Sequence, residues 1–83
     1  MESHLRILRG VPRQSDREYE FFRQRLVDAR QQARLTQSEV PDRIGKPQSY
    51  ISKCESGERR VDVIELAELA AIYDRPLSWF VPA

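Results

Sequence analysis

The stretch LTQSEVPDRIGKPQSYISKCESGERR, residues 35–60, holds two short helices and the turn between them. Thr36 is followed three residues later by Glu39, a capping-box pair that marks a helix start. Gly45 is a natural left-handed stop. Lys46 then caps the next helix, and Pro47 takes its first position, where a missing N–H costs nothing. That helix stops at Gly57. Two short helices joined this tightly pack on one core at a steep angle, which is a helix-turn-helix. Ile51 and Cys54, three apart, face the core, and Gln48, Ser49, Ser52 and Lys53 point away from it. Such a polar face is either a solvated surface or a surface shaped to lie against something polar.

Working outward, SDRE at 15–18 is a second capping box, Ser15 with Glu18, opening a helix to about Ala33. Tyr19, Phe22, Leu26, Ala29 and Ala33 recur at spacings of three and four and predict one buried stripe. On the other side, Asp62 caps a helix to about Tyr73, with Val63, Leu66, Ala67, Leu69, Ala70 and Tyr73 as its apolar face. Asp74, Arg75 and Pro76 break it, and LSWFV, 77–81, forms one last short turn of helix. Residues 1–13 carry no helical period. We read residues 1–14 as a disordered or loosely docked arm, with a short strand as the alternative. The fold class is all-α: a compact five-helix domain over residues 15–83.

Eighty-three residues make one domain, able to bury only a small core. The single cysteine, Cys54, excludes an internal disulfide and a cysteine-based zinc site, and its place on the buried face marks it as core. That usage fits a reducing cytoplasm. No apolar run approaches the roughly 18 residues of a membrane span, and no signal-peptide pattern opens the chain. His4 has no acid, cysteine or second histidine placed with it, so no metal ligand is assigned. Paired acids, a phosphate-cradling glycine loop and a histidine–cysteine set are all missing, so neither an enzyme nor a cofactor is expected. The net charge is only +1, but residues 23–60 carry nine Lys or Arg against five acids, and residues 61–83 one Arg against four acids. A basic middle beside an acidic end predicts one face for an anion and another for a different partner.

The LTQ opening, the glycine turn, the I-S-K segment and the E-S-G-E-R-R exit together resemble the bacteriophage repressor and Cro family. This is the xenobiotic-response-element (XRE) family of helix-turn-helix regulators. The resemblance covers about residues 18–80 and implies a lambda-repressor-like fold that binds double-stranded DNA with its third helix in the major groove. It implies that Gln37 holds a phosphate and braces the recognition helix, and that Gln48 and Ser49 read base edges. Ser52 and Lys53 fall a turn deeper, and Tyr50 offers its hydroxyl to a phosphate. Arg59 and Arg60 contact the backbone after the helix, and Arg43 and Lys46 flank the turn with further phosphate contacts. Arg30 and Glu55 match a structural ion pair. Trp79 and Phe80 either close the core or meet a second copy. Pro41 departs from the family pattern, where a small helix former usually stands, and predicts a displaced or tightened first turn.

The function expected is a sequence-specific transcriptional regulator, a cytoplasmic bacterial or phage repressor binding a near-palindromic operator as a homodimer. Two alternatives stand beside it. The acidic end could grip a toxin, making the chain an antitoxin, or the chain could be the DNA-binding head of a larger regulator with an effector domain. A protein-only adaptor is the remaining reading.

Overall fold

The computed structural model describes residues 14–82. The expected arm, residues 1–14, therefore lies almost wholly outside the described residues. Four α-helices follow: α1 (Gln14–Gln32), α2 (Glu39–Ile44), α3 (Tyr50–Ser56) and α4 (Val63–Tyr73), closed by a 3₁₀ turn at Leu77–Phe80. No strand occurs among the described residues. The fifth helix of the expected architecture is thus a single 3₁₀ turn.

Leu26 and Ala29 of α1 are fully buried, with Phe22 and Ala33 packed against the core at its edge. Ser15 is the second described residue of α1, and the expected capping box of Ser15 with Glu18 lies outside the described side chains. The helix ends where Arg34 turns left-handed at φ 61°. Arg34 N–H returns to Gln31 O and Leu35 N–H to Arg30 O, a Schellman closure built without glycine. Gly45, Gly57 and Asp74 end the other three helices in the same left-handed region.

The Thr36–Glu39 capping box forms in both directions: Thr36 N–H donates to Glu39 Oε1 at 2.8 Å and Glu39 N–H to Thr36 Oγ1 at 3.2 Å. These bonds hold the Glu39 carboxyl below its ordinary range, the backbone N–H contributing most. Regular α-helix begins only at Glu39, and Glu39 N–H also reaches Thr36 O, an i→i+3 bond. The first turn is therefore tightened, and α3 opens with the same kind of bond without a proline at the matching position. Pro41 is itself fully buried beside Val40.

The start of α3 differs from the sequence expectation. Pro47 is not the first helical residue. Tyr50 N–H bonds to Pro47 O, so residues 47–50 form a tight turn and the α-helix begins at Tyr50. In α4, Asp62 caps the helix and exchanges reciprocal bonds with Glu65. Leu66, Leu69, Ala70 and Tyr73 are buried, but Val63 and Ala67 of the expected face are exposed. Val63 stands on the rim of a groove of about 430 Å³ lined also by Tyr19, Phe22, Leu66 and Phe80, where α1 and the final turn no longer cover it. Phe80 is fully buried and meets Trp79 edge-on at 5.2 Å between ring centroids.

Candidate nucleic-acid interface

Gly45, at φ 65° and ψ 37°, turns the chain between α2 and α3. Its N–H and that of Lys46 both return to Pro41 O. The turn seats α3 with Ile51, Cys54 and Glu55 inward. Gln48, Ser49, Ser52 and Lys53 are all exposed, on the opposite side. Ser52 Oγ donates to Ser49 O at 3.0 Å, which leaves its lone pairs as outward acceptors.

Glu55 fastens this helix to the rest. Its carboxylate accepts from Arg30 Nε at 2.7 Å, Arg30 Nη2 at 3.1 Å and Gln37 Nε2 at 2.8 Å. Arg30 Nη1 also donates to Leu35 O at 2.9 Å. The expected pair of Arg30 and Glu55 is therefore a bidentate fork, with 12% and 6% of the two side chains exposed. Hydrogen bonding to Glu55 raises the Arg30 pKa above its ordinary value against the opposing effect of burial. Gln37 sits exposed in the turn before α2 and reaches α3 through that carboxylate. Arg23, from α1, donates Nη1 to Glu55 O at 3.0 Å and covers the end of α3.

The cations expected at phosphates divide into two groups. Arg43 is exposed in the last turn of α2, and Lys53 is exposed on α3. Lys46, Lys53 and Arg59 surround a cleft of about 270 Å³ with Ser49 at its edge and Tyr50 among its walls. Arg59 is far from free. Nη1 donates to Glu65 Oε1 at 3.0 Å and to Arg60 O at 2.9 Å, and Nη2 donates to Glu65 Oε2 at 2.6 Å. Lys46 Nζ lies 3.6 Å from the same carboxylate. The hydrogen bond from Arg59 is the main reason the Glu65 carboxyl is held down to about 2. Arg60 points elsewhere: its guanidinium lies 4.1 Å from the centre of the Tyr19 ring on α1.

Burial overturns one expectation and decides another. Tyr50 is only 4% exposed, with its hydroxyl buried beside the Cys54 thiol, so it does not present that hydroxyl to a phosphate. Desolvation pushes the pKa of both groups up. The ring serves instead as a floor, with Arg59 at 4.8 Å and Lys46 at 5.3 Å from its centre. Phe80 is wholly inside its own core and offers nothing to a second copy. Trp79 is half-buried between two guanidiniums, Arg25 at 4.3 Å and Arg75 at 4.9 Å.

Sequence reasoning missed Asp42, Arg23 and Glu65. Gln48 Nε2 donates to Asp42 Oδ1 at 3.0 Å, across the turn. The D-x-x-E spacing of Asp62 and Glu65 signals the cap, but nothing local signals the grip on Arg59. Among the described residues, no cluster of side chains is arranged to hold a metal ion, and no helix is long and apolar enough to cross a membrane.

A family model described as helix-turn-helix, HTH_3, matches residues 26–80. Searches of curated proteins and of solved structures returned no match. The matched span runs from Leu26 of α1 to Phe80 of the closing turn and contains the whole α2–turn–α3 unit with its Arg30–Glu55 fork. The chain belongs to the helix-turn-helix family of XRE type and is a DNA-binding regulator of that type.

Proposed function

We propose that the protein is a transcriptional repressor that binds a near-palindromic operator as a homodimer. In this reading α3 enters the major groove N-terminus first. Gln48 and Ser49 read base edges, and Ser52 and Lys53 meet the groove a turn further along. Glutamine matches adenine through a paired donor and acceptor. Arg43, Lys46 and Lys53 neutralise phosphates, and the Gln37 amide meets one in the turn before α2. Repression needs only occupancy, because a bound dimer excludes other proteins from the same DNA. The observation that carries the reading is the division of α3 and the turn that opens it, with Ile51 and Cys54 buried and Gln48, Ser49, Ser52 and Lys53 exposed.

The test is selection of bound fragments from sheared genomic DNA at roughly physiological salt, with Gln48→Ala in parallel. The expected result is a two-fold symmetric motif, its half-sites about 34–36 Å apart, that blurs at one base position in the variant. A motif untouched by Gln48→Ala would remove the base-reading role.

A second reading, an antitoxin that also grips a toxin, is favoured by one observation. Val63, Ile64, Leu77 and Val81 are exposed in the acidic last third of the chain. Co-purification with a neighbouring gene product decides it.

A further inference from the structure

Gln48 is not a free side chain: its amide is tied to Asp42, six residues earlier on α2, by a 3.0 Å hydrogen bond across the turn. Both residues are exposed, so the bond is not forced by core packing. A carboxylate can only accept, which fixes the contacting end of the amide as nitrogen. One N–H is then committed to Asp42. The other N–H and Oε1 remain, one donor and one acceptor, and they share an edge when Asp42 takes the N–H that points away from Oε1. That pair is the complement of the adenine edge, N7 and N6–H₂. We propose that Asp42 is a positioning residue that holds Gln48 in its base-reading orientation. The inference rests on the DNA-reading proposal above.

The physics has two separable parts. An exposed glutamine gives up rotamer freedom when it docks on a base, and a side chain already held gives up less. This part raises selectivity at the position Gln48 reads. The carboxylate itself adds negative charge beside Arg43 and Lys46 on a surface meant for phosphates. This part lowers affinity for every sequence alike, and added salt screens it. Asn at position 42 keeps a carbonyl acceptor and removes the charge, so the two parts come apart in Asp42→Asn and Asp42→Ala.

The experiment selects bound DNA with wild type, Gln48→Ala, Asp42→Ala, Asp42→Asn and the Gln48→Ala/Asp42→Ala double variant. Thermal unfolding checks that each is folded. Side-chain amide relaxation of Gln48 is measured without DNA. The expected result is that Asp42→Ala loses roughly five- to tenfold of the preference at the Gln48 position. Asp42→Asn keeps that preference while binding all sequences more tightly. Adding Asp42→Ala to Gln48→Ala changes selectivity no further. The Gln48 amide becomes more mobile in Asp42→Ala and not in Asp42→Asn. The inference is overturned if Asp42→Ala tightens binding to all sequences equally with the position unchanged, if it sharpens the preference, or if Asp42→Asn loses selectivity as Asp42→Ala does. A wild type that selects no motif overturns the DNA reading itself, an outcome distinct from a motif indifferent to Asp42.

Discussion

Arg59 and Glu65, six residues apart, meet as a fork: Nη1 donates to Oε1 at 3.0 Å and Nη2 to Oε2 at 2.6 Å. The fork joins the exit of α3 to the first turn of α4, and Lys46 adds its charge from the turn before α3. Its consequence at low pH is definite in sign. The Glu65 carboxyl, held down to about 2, sits below its unfolded value of about 4.3. The stability it contributes is present above about pH 4.3 and is lost as pH falls through about 2. The Tm advantage of wild type over Glu65→Gln should hold constant from pH 7 to 5 and shrink steadily between about pH 4.5 and 2. Thermal unfolding of both across that range checks it, and a gap independent of pH would count against the fork.

Arg59 and Lys53 should separate stability from DNA binding. Arg59→Ala should lower the unfolding midpoint, because its bonds go to Glu65 and to the backbone. Lys53→Ala, exposed on α3, should leave the midpoint unchanged. It should flatten the salt dependence of DNA binding by about one unit. Urea melts and binding isotherms at several salt concentrations measure the two effects.

Removing one side of the Arg30–Glu55 fork should cost about 3–5 kcal/mol, since the charge left behind is nearly buried. Replacing both, as Arg30→Met with Glu55→Leu, should cost much less than either single change. A double-mutant cycle in urea gives the coupling directly. Additive losses would show that the fork is not a unit.

The left-handed helix ends rank one another. Gly45→Ala meets open space, so its cost should be the backbone strain alone, about 1–2 kcal/mol. At Gly57 an added Cβ would stand 2.9 Å from Arg23 Cδ. It would push away the side chain that bonds Glu55 O, adding about 1 kcal/mol. Arg34→Gly works in reverse: relief at φ 61° exceeds the extra freedom of the unfolded chain, for a gain of up to about 1 kcal/mol. Chemical denaturation of the three variants tests both the order and the sign.

What could be read from residues alone follows the range of each interaction. The capping box at Thr36, the cap at Asp62 and the stops at Gly45 and Gly57 are set within a few residues, and they appear where the sequence puts them. Ile51 and Cys54 face inward as their spacing requires. The tightened turn before Glu39 agrees with the expectation drawn from Pro41, but α3 opens the same way without such a proline. Pro47 was misread because a proline at N1 and a proline opening a tight turn share the same φ and differ only downstream. Tyr50 was misread because its ring joins the apolar core and is flanked by Lys46 and Arg59, which come from segments on either side of α3. Asp42 carries no helical or strand register toward Gln48, and only the path of the turn brings them together. Arg34 has no sequence mark at all, since nothing about arginine favours a left-handed end.

Seven residues are too few for a helix to persist alone in water, so α3 exists only while its neighbours hold it. Its hold is concentrated on Glu55, which takes bonds from Arg23, Arg30 and Gln37. Lifting α3 away would strip several donors from one buried carboxylate at once. Local fraying and global melting therefore converge for this segment, and its amides should exchange with solvent at close to the rate of whole-molecule opening. The surface proposed to meet DNA is then either fully assembled or gone, with no half-formed version left to bind at the wrong place.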